Sequence, residues 1–265
     1  TLGVSKVKVR ESIMAKKKKD TMEFRFYELP QGEAALVLCG ESWVRVYGHE
    51  EFHLHFHNLM EIGICRQGVG DMYFDEEVYK YHSGDITIIP ENFPHVTVSD
   101  GETTNFWEYI FIDLRSMIET MFPGNVAFQN DAVSSLSKRA YMTNERDNHI
   151  IAECINGIIR ETNEHKTYSQ RAIALKVQEI VIELLRHDAS LPEEKNNFVK
   201  GTNMSQIASA LDYINKHFEE QLKACELAEL CNMSETHFRR LFLFFINMPP
   251  MEYVNMMRVQ KACEL

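Results

Sequence analysis

The apolar pattern of this chain changes period once, and that change limits the folds open to it. From residue 23 to 112 apolar side chains come in short runs: "AALVLC", "WVRVYG", "LMEIGICRQG", "GDMYFD", "DITIIP" and "HVTVS". They recur roughly every ten residues, several of them separated by Gly, Asp, Asn or Pro, which predicts short antiparallel strands in a sandwich or barrel. "GDITIIP" has the β-branched content of a buried strand, which Pro90 ends. From residue 131 the period is helical. "NHIIAECINGIIRETNEH" puts Ile150, Ile151, Cys154, Ile155, Ile158 and Ile159 on one stripe. "SQRAIALKVQEIVIELLRH" does the same with Ile173, Val177, Ile180, Val181, Leu184 and Leu185, and Ser169 is its expected N-cap. The expected class is α+β, a barrel followed by helices.

Five segments follow. Residues 1–22 form a basic arm, expected to be disordered, with seven Lys or Arg against two acids in the first twenty. Residues 23–130 are the barrel, and 131–188 a helical region that packs on it or dimerises. Residues 189–203, "ASLPEEKNNFVKGTN", have no period and read as a linker. Residues 204–265 are helical again. No run of eighteen apolar residues is present and the first residues lack a signal-peptide core, so neither a membrane span nor export is expected, and the location predicted is cytoplasmic. The six cysteines form no C-x-x-C pair and read as buried, reduced thiols. A net charge of −11 argues against nonspecific nucleic-acid binding.

Within the barrel, "HLHFHNLMEIGICRQGVG" carries the chemistry. His55 and His57 alternate along a strand and share a face, Glu61 returns after a turn at Asn58, and His95 is expected to enter from a facing strand. Imidazole and carboxylate donors with open positions suit Fe, Mn, Ni or Zn. The spacing from His55 to Gly68, and from Gly84 through Pro90 to His95, resembles the cupin family, a double-stranded β-helix or jelly roll. That resemblance implies His55, His57, Glu61 and His95 as ligands to a divalent transition metal, or as groups gripping a small effector. It also departs from the family: Asn92 stands where glycine is usual, Ser99 near where a final Asn is expected, and Gly48 is one residue off the first motif's spacing. Asn92 tolerates the left-handed turn conformation. Trp43 and Tyr73 are aromatic candidates for stacking an effector such as a sugar.

At the C-terminal end, "ACELAELC", the turn "NM" and "SETHFRRLFLFF" form two helices joined tightly, with Ser234 as N-cap and Phe238, Leu241, Phe242 and Phe245 inward. This leaves Ser234, Glu235, Thr236, Arg239 and Arg240 as candidates for DNA contact. "ELAELCNMSETHFRRLF", "NMPPMEY" and "RVQKACEL" resemble the AraC family of transcription regulators, which implies a helix-turn-helix reader of double-stranded DNA driven by an effector-binding barrel. Family members carry two such units; residues up to Leu265 match the first and the start of the linking helix. Leu243 and Phe244 replace a usual basic pair, and residues 203–265 hold six Lys or Arg against eight acids, which weakens phosphate attraction. Together these features predict a homodimeric, non-enzymatic regulator that senses a small molecule, a sugar or derivative first. The alternative is a metal-dependent cupin enzyme, an isomerase or dioxygenase.

Overall fold

A computed structural model describes residues 23–48, 54–75, 77–189, 206–246 and 248–264. The basic arm, all of the linker beyond Ala189, and His53 lie outside the described residues. The strands are β1 (Glu23–Arg25), β2 (Leu36–Leu38), β3 (Val44–Arg45), β4 (His55–His57), β5 (Met60–Gln67), β6 (Val69–Phe74), β7 (Glu77–His82), β8 (Asp85–Ile89), β9 (His95–Ser99), β10 (Asn105–Ile112) and β11 (Tyr141–Asn144). Helices α1 (Leu114–Met121) and α2 (Val126–Leu136) precede β11. After it come α3 (His149–Glu164), α4 (Ser169–Ala189), α5 (Ala208–His217), α6 (Ala224–Leu230), α7 (Glu235–Ile246) and α8 (Pro250–Glu264).

Two sheets face each other. One runs β1-β4-β9-β6-β7 and the other β11-β8-β5-β10-β2, with β3 also paired to β10. Alternation along the strands sorts the side chains. Met60, Ile62 and Ile64 of β5, Ile86 and Ile88 of β8, and Ile110 and Ile112 of β10 point outward into one core with α1 to α4. Ile151, Ile155, Ile158, Ile173, Val177, Ile180 and Val181 fill that core from α3 and α4, as the stripes predict. Each such side chain, once fully buried, contributes about 1.5–3 kcal/mol. Between the sheets lie Cys65, Met72, Phe74, Tyr81, Ile89, Trp107, Tyr109 and Phe111.

The boundary expected at residue 130 is corrected. Residue 130 lies inside α2, and β11 returns to pair with β8 from Tyr141↔Ile88 to Asn144↔Asp85. The physical reason is the isoleucine face of the six-stranded sheet, which needs α1 and α2 as well as the later helices to cover it. Ser169 is also corrected as a cap: it is the first residue of α4, and its hydroxyl donates to Glu161 of α3 at 3.0 Å.

The five-stranded sheet turns its outer side to the C-terminal helices. Phe56 is fully buried in a cluster with Ile207, Leu211, Leu227, Phe238, Phe242, Tyr253 and Met257, and Phe24 packs against it. Within that layer α6 and α7 are joined through Asn232, whose φ of 53° turns the chain, and Met233 N–H donates back to Ala228 O at 3.1 Å. Arg258 of α8 ties the layer together by donating to the carbonyls of Phe218 and Glu220 at 2.7 Å each, closing the end of α5.

Candidate functional site

The strand β4 holds His55 and His57 on its inner face. His55 pairs directly with His95 on the neighbouring strand β9, so the expected entry of His95 from a facing strand is corrected: it comes from the same sheet, and Glu61 from the opposite one. The turn between β4 and β5 is set by Asn58, whose side chain accepts from Tyr27 N–H at 2.8 Å and donates to Tyr27 O at 2.9 Å. The ring centroids of His55 and His95 are 4.2 Å apart, and those of His57 and His95 4.9 Å. Donor atoms of His55, Glu61 and His95 all lie within 4.8 Å of one another.

Backbone carbonyls choose the tautomers. His57 Nδ1–H donates to Leu59 O at 2.7 Å, and His95 Nδ1–H donates to Phe93 O at 2.9 Å. That leaves Nε2 of each ring as the atom free to take a proton or a metal. They converge on one oxygen: His57 Nε2 is 3.1 Å and His95 Nε2 3.6 Å from Glu61 Oε2. His55 Nδ1 and His95 Nε2 are buried with no hydrogen-bond partner among the described residues. Burial pushes the Glu61 carboxyl up, but His95 and His57 outweigh it and hold it well below the ordinary carboxylate range. Burial lowers His57, against the pull of Glu61, and lowers His55 further, with His95 and Arg25 adding to it. Imidazole nitrogens converging on a carboxylate oxygen in a closed space call for a cation between them, a proton or a metal. The donor set fits a divalent transition metal, and the two carbonyls act as the outer partners that orient ligating histidines.

The cupin-type spacing has local reasons. Gly68 has φ of 125°, and a Cβ there would stand 1.9 Å from Asn105 Oδ1. Asn92 takes the left-handed conformation at φ 58°, as expected for a residue in glycine's place, and its N–H donates to His57 O at 2.7 Å. Ser99 Oγ accepts from Tyr47 N–H and Asn105 Nδ2, each at 2.9 Å, locking the sheets together at the other end of the barrel.

Of the aromatic candidates, Trp43 faces the interior, edge-on to Tyr109 at 5.2 Å. Tyr73 is corrected. It pairs with Val96 and Val78, which puts it on the face of β6 opposite Met72 and Phe74 and away from the histidines. Its position is odd in a strand whose even residues point inward. Three lining residues were not expected: Phe111, 5.1 Å from the His57 ring; Tyr27, 4.3 Å from Phe111; and Tyr109. The alternation in "NFWEYIFI" would have pointed to Tyr109 and Phe111, since Trp107 shares their face.

Ser234, Glu235, Thr236, Arg239 and Arg240 are all exposed on or beside α7. Ser234 Oγ accepts from His237 N–H at 3.4 Å, a long N-cap bond. Arg239 is paired with Glu235 at 2.7 Å, whereas Arg240 meets His237 Nδ1 at 3.1 Å and no carboxylate among the described residues. Leu243 and Phe244 stand out in solvent at 48% and 74% exposure. Among the described residues no helix is long and apolar enough to cross a membrane.

Residues 45–184, more than half of the chain, match the family model of the AraC-like ligand binding domain. An HTH-type transcriptional regulator of Haemophilus influenzae is 22% identical over 212 residues, covering 76% of this chain and 71% of the relative. Another, from Staphylococcus aureus, is 23% identical over 208 residues; the match takes 77% of this chain but only 26% of that longer relative. Among solved structures, the AraC-like transcriptional activator CuxR matches with a TM-score of 0.41 and 15% identity, over 77% of this chain and 67% of its own. Unsaturated fatty acid bound ToxT from Vibrio cholerae matches with a TM-score of 0.40 and 13% identity, over 83% and 93%.

Proposed function

The chain belongs to the AraC-like ligand-binding family, and from that membership we propose that it is a ligand-responsive transcription regulator rather than an enzyme. The barrel binds a small effector, a sugar or sugar derivative, between its sheets, at His55, His57, Glu61, His95 and Trp43. The α6–turn–α7 unit acts as a helix-turn-helix that presents Thr236, Arg239 and Arg240 to the major groove of double-stranded DNA. The protein works in the cytoplasm as a homodimer. Dimerisation through α4 is supported by Tyr168, Leu175 and Ile182, exposed apolar residues seven apart along that helix and its start.

One observation carries this reading. The strand that lines the pocket with His55 and His57 sends the residue between them, Phe56, into the core of the C-terminal helices. An effector or metal that shifts β4 therefore acts on both layers at once, and it changes DNA affinity only as far as it favours one arrangement over the other. A divalent metal would be held by His55, His57, Glu61 and His95. Bound there, it supplies a positive centre for an effector's oxygen atoms; Phe111 and Tyr27 exclude water around it. The same donors would suit an isomerase or dioxygenase, and the family membership favours recognition over turnover.

The test selects genomic DNA fragments with the full protein, then measures fragment affinity with and without metal and candidate effectors. Sequence-specific binding that an effector shifts at least fivefold supports the regulator, in the range of ordinary coupling energies. Absence of specific binding together with metal-dependent turnover of a small substrate would replace it by the enzyme.

A further inference from the structure

At the end of the barrel that carries Gly68's turn of β5 into β6, the inner face carries a cation held in an unusual way. Arg45 of β3 pairs with Asn105 of β10, so its side chain lies on the inward face, that of Asn105, Trp107, Tyr109 and Phe111. Its guanidinium sits over two rings, 4.7 Å from the centre of Trp43 and 4.9 Å from that of Tyr47. Tyr47 is anchored in turn, its hydroxyl donating to Trp43 O at 2.7 Å. Two aromatic rings thus flank the guanidinium, and the Tyr47 side chain also hydrogen-bonds with it, which leaves its other donors for something else. Among the described residues no carboxylate stands within ion-pair distance of Arg45.

The clamp lies in line with the histidine cluster. Trp43 touches Tyr109, and Tyr109 is one inward position from Phe111, about 7 Å along the strand. Phe111 touches His57. The guanidinium, opposite Asn105, and the cation-seeking His/Glu cluster, whose Glu61 lies opposite Phe111, stand at two ends of the same inward face. Arginine held in one plane by stacking recognises a carboxylate or phosphate by two parallel hydrogen bonds, which a lysine cannot do.

We propose that Arg45, clamped by Trp43 and Tyr47, is the anion-binding end of the barrel pocket, and that the effector carries a carboxylate or phosphate. This rests on the reading of the barrel as the effector site and narrows its ligand to an acidic one, a sugar acid or sugar phosphate before a neutral sugar. Arg45 is exposed, so its replacement leaves the fold intact.

The experiment titrates the full chain calorimetrically with an aldohexose, the matching hexuronic acid and hexose 6-phosphate, and an aromatic acid with its amide. Wild type is compared with R45Q, R45K and H55A. The expected result is that at least one acid binds, its neutral partner binds at least tenfold more weakly, and R45Q removes the difference while R45K recovers only part. The acid that responds distinguishes carboxylate from phosphate. If no acid outbinds its neutral partner, or if R45Q leaves the preference unchanged, the assignment is overturned. Neutral binding that H55A abolishes and R45Q does not touch overturns the anion site but keeps the barrel as pocket. Acid binding that needs Arg45 and ignores H55A keeps the anion site and overturns the reading of the histidine cluster as part of the effector pocket.

Discussion

Phe24 of β1 meets Tyr253 of α8 edge-on, with ring centroids 5.1 Å apart and planes at 62°. Phe56 lies 5.0 Å from Phe24 on the same sheet face, so three aromatic rings join the barrel to the C-terminal helices. Phe24 is half-buried and Phe56 fully buried, which makes Phe24 the gentler place to loosen the contact. Phe24→Ala is expected to cost no more than about 2 kcal/mol, less than the range for a fully buried Phe. Effector affinity should stay within twofold of wild type, while the effector's influence on DNA affinity falls toward none. Equal effector-dependent shifts in wild type and variant would show that the contact transmits nothing.

Metal content checks the histidine cluster. Protein purified without an affinity tag and exposed to Zn, Ni, Mn or Fe in turn should retain one of them near stoichiometry. His95→Ala and His55→Ala should each lower that affinity at least tenfold, since each removes a donor nitrogen. Leu59 and Phe93 orient His57 and His95 through their backbone carbonyls, so their side-chain variants should retain the metal. Chelation should lower the thermal midpoint of wild type and leave His95→Ala where it was.

The depressed histidines make the metal-free protein acid-sensitive. His55 sits below its ordinary pKa in the folded state, chiefly through burial. In the unfolded chain it titrates near ~6.5, so below that pH the unfolded state takes up a proton that the folded state refuses. The stability tied to His55 is therefore whole above that pH and is lost as pH falls toward the lower folded value. Glu61, also depressed, adds a second loss below about pH 4.3, where the unfolded carboxyl protonates first. Thermal midpoints of metal-free protein should fall between pH 7.5 and 5.5, and His55→Gln should flatten that limb. Parallel curves would assign the loss to other groups.

DNA affinity should divide the two arginines of α7. Arg239 is already neutralised by Glu235, and Arg240 is paired to no carboxylate among the described residues. Arg240→Ala should weaken binding and lower the salt slope by about one, as for one lost phosphate contact. Arg239→Ala should do less, and Glu235→Gln should strengthen binding by releasing Arg239. A larger loss for Arg239 than for Arg240 would mean that Arg239 leaves Glu235 for a base edge.

Much of this was legible in the chain because spacing carries geometry. The alternation of His55 and His57 and the helical stripes of α3 and α4 each translate into a face, and the structure keeps those faces. Asn92 announced its left-handed turn by chemistry alone. What escaped was set by pairing across distance. Tyr73 was placed in the pocket because an isolated strand does not say which of its faces is inner; only its register with Val96 does. β7, "EVYKYH", mixes valine and tyrosine with charged residues and has no apolar run to mark it. β11 and the position of α2 depend on an isoleucine face elsewhere that needs cover. Arg45 sits in "WVRVY" on the same parity as Trp43 and Tyr47, a signal present in the letters whose meaning depends on knowing which way that parity points.

The outward phenylalanines of the five-stranded sheet bear on any attempt to study the sensor alone. A protein cut in the segment between α4 and α5 would present Phe56, now wholly covered, and Phe24 to water on a flat sheet. Such a fragment would tend to stick to itself through that wound, and an apparent dimer of it would report the missing helices rather than a native association.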